Sequence, residues 1–335
     1  RARDVRMDQY EEVKTLGRGA FGVATLVKAR SGGRRPVQFV VKTIDLNGLS
    51  PKRQQEAQTE AGVLRQLSHP HIVEYVETFV ADSVIHIVME FIDGGDLAGA
   101  VSRRREEDQA EAGPYPEKQA MAMFGQCLLA LQYIHGKHII HRDLKTQNIF
   151  LKLRQEQRDS AAPYIKLGDF GISRIMEHTA AVAGTVIGTP TYLAPEICEN
   201  LKYGNKVDIW AAGIVLYELL TLKQPYKCSN MVALAMQIVT REPPELPATC
   251  SGEAREVVRL ALQKDPGRRP SAAEFLLQPA VHCAVPPTPE LTVSGMDQFE
   301  TIRTLGHGAF GVATLVRQRK TGRAPLRGGK RVGLP

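Results

Sequence analysis

No stretch of 18 or more consecutive apolar residues occurs in the 335-residue sequence, so no segment reads as a membrane-spanning helix. The opening Arg1-Ala2-Arg3-Asp4-Val5-Arg6 has no apolar segment behind it, which predicts no secretory leader. Cysteine is scarce. Cys127, Cys198, Cys228, Cys250 and Cys283 are odd in number, scattered, and never spaced C-x-x-C. That pattern argues against a disulfide framework or a cysteine-based zinc site and predicts reduced thiols in the cytoplasm. A basic face for nucleic acid is missing as well. Of the net charge of +7, residues 1–6 contribute +2 and residues 296–335 contribute +6, leaving the body near −1. No nucleic-acid partner and no membrane contact are therefore expected.

What is present fits a globular chain: 43% apolar and 24% charged residues, long enough for two domains or one large two-lobed one. Tyr10–Leu16, Gly22–Lys28 and Gln38–Ile44 read as strands separated by Gly-rich turns. Pro51–Leu67 reads as a helix, with Ala57, Ala61, Leu64 and Leu67 on one stripe. Val73–Phe79 and Val84–Phe91 are strand-like again. From Gly95 onward the pattern turns helical, over Pro116–His135, Val207–Leu220, Met231–Thr240, Glu253–Gln263 and Ala272–Leu277. The expected class is α+β, a β-rich front joined to a helical rear through Glu90–Gly95, with a ligand cleft at the junction.

Gly17-Arg18-Gly19-Ala20-Phe21-Gly22 fits G-x-G-x-x-G. Alone this is an ordinary turn or a dinucleotide fingerprint, but the fingerprint needs a helix next, and Val23–Val27 favours a strand. A glycine loop inside a β-hairpin lets backbone N–H groups approach a triphosphate. Lys42 ends the apolar strand Phe39-Val40-Val41, where an ammonium at a cleft needs a negative partner; Glu60 on the following helix is favoured over Glu56.

The most specific segment is His141-Arg142-Asp143 followed by Asn148, five residues after the aspartate, with Asp169-Phe170-Gly171 further on. Asp143 is placed to orient a hydroxyl and accept its proton. Asn148 and Asp169 offer hard oxygen ligands for Mg²⁺, whose other positions phosphates and water fill. Lys145 can reach a transferring phosphate. Together with Ala194-Pro195-Glu196, the set follows the protein-kinase signatures in their order.

The finer wording resembles the NIMA-related (NEK) family of serine/threonine kinases, through HRDLKTQNIFL at 141–151, IKLGDFGIS at 165–173, GTPTYLAPE at 188–196 and KVDIWAAGIVLYEL at 206–219. The resemblance covers about residues 10–281. It implies a bilobal kinase domain over 7–283 (lobes dividing near 92), using ATP and Mg and acting on Ser/Thr of protein substrates. It implies Met89 as gatekeeper, hinge backbone bonds at Glu90 and Ile92, and Asp96 near the ribose. Leu16, Ala24, Val40 and Phe150 would sandwich the base, beneath Gly17, Gly19 and Gly22. Asp208 would brace the catalytic loop and Glu196 would pair with Arg269. Thr185 would be an activation site, phosphorylated by an upstream kinase or by the chain itself, its phosphate pairing with Arg142.

Ala24 and Val40 depart from the usual Val and Ala, which adjusts the fit of the base. The family also implies a cytoplasmic protein with cell-cycle, microtubule or cilium roles, associated with cytoskeleton or flagellum. No long coiled coil follows, so a monomer is expected. The rival class is a pseudokinase scaffold, which predicts loss of Lys42, Asp143, Asn148 or Asp169; none is lost.

Three segments remain: a basic extension at 1–6, a Pro-rich linker at 284–295, and an internal repeat. Met296–Val316 matches Met7–Val27 at 16 of 21 positions, including a second glycine loop at Gly306–Gly311. No second HRD or DFG follows, so 296–335 reads as a truncated duplicate, poorly ordered or loosely docked, with a basic tail.

Overall fold

The computed structural model describes residues 7–19, 22–30, 37–47, 50–64, 66–106, 113–153, 162–169, 190–228, 230–285, 299–308 and 311–318. The chain divides after Pro286 into two compact units.

The first unit opens with a five-stranded antiparallel sheet: β1 (Tyr10–Gly19), β2 (Gly22–Ala29), β3 (Gln38–Asp45), β4 (Tyr75–Ala81) and β5 (Val84–Glu90). Their order is β1-β2-β3-β5-β4, so β3 is the centre and the glycine-loop hairpin one edge. Helix α1 (Pro51–Leu64) ends three residues before the expected Leu67. The apolar stripe survives, because Leu67 turns back to donate its N–H to Leu64 O at 3.0 Å; Ala57, Ala61, Leu64 and Leu67 are all buried. Strand β4 starts at Tyr75 rather than at Val73. Val73 instead donates its N–H to Leu167 O at 2.8 Å, which draws residues 71–73 out of the sheet and onto β7 (Tyr164–Leu167).

The rear is helical. Helices α2 (Leu97–Glu106) and α3 (Glu117–Gly136) precede the hairpin of β6 (Ile149–Lys152) with β7. Then come α4 (Pro195–Cys198), α5 (Lys206–Thr221), α6 (Met231–Thr240), α7 (Gly252–Ala261), α8 (Ala272–Leu276) and α9 (Pro279–His282). Every residue of α5 from Val207 to Leu220 is buried, as suits a helix that is apolar on all sides. Burying each of its Leu and Ile side chains contributes about 1.5–3 kcal/mol. Its two acids, Asp208 and Glu218, are both hydrogen-bonded. Ser251 caps α7, and Ser271 with Glu274 forms a capping box on α8. Ala284 and Val285 pack on the core of the first unit and bond back to Val281 O. No described helix is long and apolar enough to cross a membrane.

In the second unit, β8 (Phe299–Gly308) and β9 (Gly311–Gln318) pair antiparallel. The pairing repeats that of β1 with β2, from Phe299↔Gln318 for Tyr10↔Ala29 to Gly308↔Gly311 for Gly19↔Gly22, with irregularities at corresponding places. Residues with the same alternation and the same glycines reproduce the same register.

Candidate active site

Between the sheet and the helical rear lies a cavity of about 350 Å³. The sheet contributes Leu16, Gly17, Ala24, Val40, Lys42, Met89 and Glu90, and the connection after β5 contributes Ile92 and Asp96. Phe150 and Asp169 face them from the rear. All were expected from the sequence; Val73, Phe91 and Gly95 line the cavity too and were not. Val73 is there because of its bond to β7, which strand periodicity cannot foretell.

Within the glycine loop a steric need is seen at Gly22, whereas a Cβ at Gly17 would meet nothing within 4 Å. At Gly22 a Cβ would stand 1.6 Å from Thr43 O, so no other residue fits there. Gly19 pairs with Gly22 across the hairpin. At Gly168 a Cβ would meet the Phe150 ring at 2.6 Å, pressing on a wall of the cavity.

Lys42 sits on β3 opposite Ala24 of β2 and Ile87 of β5, and its Nζ lies 3.0 Å from Asp169 Oδ1. The side chains of Glu60 and Glu56, and residues Phe170, Gly171 and Thr185, lie outside the described residues.

Asp143 is held from two sides. Lys145 Nζ donates to its carboxylate at 2.8 and 2.9 Å, and Asn148 Nδ2 donates to Oδ2 at 3.0 Å and to its backbone carbonyl at 2.7 Å. Beneath it, buried Asp208 accepts the His141 N–H at 2.8 Å, the Arg142 N–H at 2.9 Å and His135 Nε2 at 2.8 Å. His141 Nε2 lies 3.1 Å from Gly168 O, tying the catalytic loop to the end of β7. Arg142 and Asp169 both adopt left-handed backbone, φ 67° and 59°. For residues with a Cβ this costs on the order of 1–3 kcal/mol each, which the surrounding bonds must offset. The Arg142 guanidinium lies 5.8 Å over the Tyr203 ring.

Glu90 and Asp96 do more than the sequence implied. Glu90 donates its N–H to Glu74 O at 2.9 Å. Its carboxylate accepts the Glu74 N–H at 2.9 Å and pairs with Lys166 on β7. Asp96 lines the cavity and also accepts the Gly99 N–H at 2.7 Å, capping the start of α2.

Glu196 and Arg269 form a buried bidentate pair at 2.9 and 3.2 Å, as expected. A larger cleft, about 740 Å³, lies between the end of α2 and residues 221–227 and contains none of the motif residues.

Residues 10–281 match the protein kinase domain family. The chain is 40% identical over 273 residues to the mouse serine/threonine-protein kinase Nek4, covering 81% of this chain and 32% of that protein. It is 39% identical over 270 residues to mouse Nek1, covering 81% of this chain and 21% of that one. With the nekl-2 kinase of Caenorhabditis elegans it shares 37% identity over 276 residues, 82% of this chain and 75% of the relative. The chain thus spans a third or less of the mouse relatives and three quarters of the nematode one. A complete, ordered set of kinase motifs on a matching two-lobed fold, with this likeness, places the chain in the protein kinase family, within its NEK branch.

Proposed function

We propose that this chain transfers the γ-phosphoryl group of ATP, with Mg²⁺, to Ser and Thr hydroxyls of protein substrates. The observation that carries the reading is the pairing of a fixed carboxylate with a charged cavity. Asp143 is clamped by Lys145 and Asn148, and Asp169 meets Lys42 at the wall of a cleft lined by apolar residues.

The donor set fits a hard cation. With its amide nitrogen committed to Asp143, Asn148 has its carbonyl oxygen to offer, and Asp169 has a carboxylate. Among the described residues no group of three or more His, Cys, Asp or Glu side chains forms a metal site, so a cation here would be shared with phosphate oxygens. Mg²⁺ in that place would neutralise charge on the β- and γ-phosphates.

In the reaction, the substrate hydroxyl oxygen forms a bond to the γ-phosphorus while the bond to the β–γ bridging oxygen breaks. Asp143 takes the hydroxyl proton and ADP leaves. Lys145 and Lys42 supply positive charge to the phosphates, and the Glu90 carbonyl and the Ile92 backbone orient the base. Activation by phosphate on Thr185, paired with Arg142, and a cytoplasmic role in cell cycle, microtubules or cilia complete the proposal. Both rest on the family's wording at 141–196.

Phosphorylation of a Ser/Thr peptide library with Mg²⁺-ATP tests the chemistry. Asp143→Asn should lower turnover by about 10²–10⁴-fold; equal incorporation by both proteins rejects the mechanism. In enzyme first stripped of phosphate and then reactivated, Thr185→Ala should stay at the basal rate. Full recovery by that variant would remove Thr185 from the proposal.

A further inference from the structure

One buried acid beyond the phosphate site is already answered by a cation from the same chain. Glu218 Oε2 accepts the Tyr192 hydroxyl at 2.7 Å, and Oε1 accepts Arg105 Nη2 at 2.6 Å. Burial, then the nearby Glu218 charge, raises the Tyr192 pKa well above its ordinary value, so this hydroxyl stays protonated and donates. Tyr192 Oη in turn lies 3.0 Å from Thr146 Oγ1, and Thr146 stands three residues after Asp143. A relay therefore runs from the catalytic loop to Arg105. From the Thr146 hydroxyl to the guanidinium it spans at most roughly 11 Å, about three residues of extended peptide.

The far end of the relay is accessible. The Arg105 side chain is 43% exposed, against 5% for Glu218. It lines the 740 Å³ cleft, where Arg104, Lys223 and Lys227 are further cations. Arg105 also donates to Leu222 O, so the guanidinium is tethered at both faces.

We propose that Arg105 occupies, from within the chain, a cation subsite beside the peptide path. The enzyme then takes Ser/Thr substrates that carry no Lys or Arg at that position, and Glu218 becomes a receptor for a substrate cation once Arg105 is gone. The proposal rests on the kinase reading given above. Its physics is competition. A carboxylate this buried needs a positive partner. Arg105 supplies one at the high effective concentration of a side chain already in place, which a substrate guanidinium arriving from solution must displace. The cations along the cleft repel that newcomer as well, so the arrangement discriminates by repulsion as much as by attraction. The simpler role, a staple between α2 and α5, predicts equal effects on every peptide. The subsite predicts an inversion of preference.

The test uses the full chain as wild type, Arg105→Ala, Arg105→Gln and Arg105→Lys, each checked for cooperative unfolding. Peptides with a single Ser or Thr carry Arg, Ala or Glu at each position from five before to four after the acceptor. Wild type and Arg105→Lys should show no preference for Arg over Ala. In Arg105→Ala, one position should gain at least tenfold in kcat/KM for Arg over Ala, chiefly through KM. Arg105→Gln keeps the stem and a neutral donor, and should move the same way if Arg105→Ala fails to fold. An Arg-to-Ala ratio unchanged in both neutral variants overturns the proposal, as does a wild type that already favours Arg at that position. Silence of the wild type on every peptide overturns the kinase reading, and this inference falls with it.

Discussion

Asp208→Asn is the sharpest probe of how the frame supports the chemistry, because it removes a charge while keeping volume. The carboxylate is 1% exposed and accepts three hydrogen bonds, from the His141 and Arg142 backbone N–H groups and from His135. Asparagine has one acceptor oxygen. Its least costly orientation keeps Oδ1 on His141 and His135 and turns the amide nitrogen toward the Arg142 N–H, setting donor against donor. A hydrogen bond to a charged group is worth about 1.5–3 kcal/mol, and a buried donor left unmet costs about 1–3 kcal/mol. Allowing for overlap between the two, a loss of about 3 kcal/mol is expected. In a domain of this size that lowers the unfolding midpoint by roughly 6–12 °C. The bond being broken is also the one that holds Arg142 at φ 67°, one residue before Asp143. Relaxation there displaces the proposed base, and a 1 Å error in placement costs on the order of 10² in rate. Thermal unfolding and steady-state kinetics on one peptide measure both effects. A midpoint within about 2 °C of wild type, together with an unchanged kcat, would refute the claim that Asp208 supports the catalytic loop.

Two further outcomes follow from other buried groups. Arg269→Met should destabilise by about 3–5 kcal/mol, because Glu196 is left buried and charged, and adding Glu196→Gln should recover part of the loss; denaturant unfolding of both variants decides, and an additive double variant would deny the coupling. His69 is pushed down to about 4 by burial, then by His71 and Lys166, against an ordinary value of 6.5. The unfolded chain therefore binds a proton that the folded one refuses, so this contribution is fully present above pH 6.5 and is lost as pH falls toward 4. For a half-buried ring the loss by pH 5 is about 1–2 kcal/mol. His69→Asn, which keeps an acceptor for the His71 N–H, should lose correspondingly less stability between pH 7.5 and 5.

What was legible in the sequence was whatever chemistry compresses into a few consecutive residues. His141–Asn148 forms one loop whose members bond to one another, Asn148 and Lys145 both to Asp143, so its spacing carries its geometry. The buried stripe of α1 was legible because helical period places those residues on one face, even though the helix stops short of Leu67. The dependence of β4 on β7 was not, because Val73 and Leu167 are far apart in sequence and the bond between them is made by backbone atoms without side-chain signature. The same holds for Glu90 with Lys166 and for Arg105 with Glu218. Each pair joins charged residues of ordinary type from distant elements, and only folding decides which of many candidates meet. Helix α2 escaped a boundary assignment for another reason: three consecutive arginines close it, and its buried face is only Leu97, Ala100 and Val101.

The glycine pattern shows the difference between a motif and a site, since this chain carries it twice. The hairpins β1–β2 and β8–β9 share their pairing register, so the local sequence is sufficient to build the loop scaffold. What makes the first one part of a candidate active site comes from elsewhere in its unit. β3 lies against β2 and brings Lys42 opposite Ala24; the end of β7 brings Asp169 to Lys42; and the catalytic loop is fastened to the end of β7 through His141 and to α5 through Asp208. None of these groups is encoded in the 21 residues that repeat. Among the described residues β9 pairs with β8 alone, and no strand stands where β3 stands beside β2. A glycine loop admits phosphate by leaving room for it. In the proposed reaction, the charge that holds the phosphate and the carboxylate that takes the proton must be delivered by the rest of the fold, and among the described residues that delivery is made once.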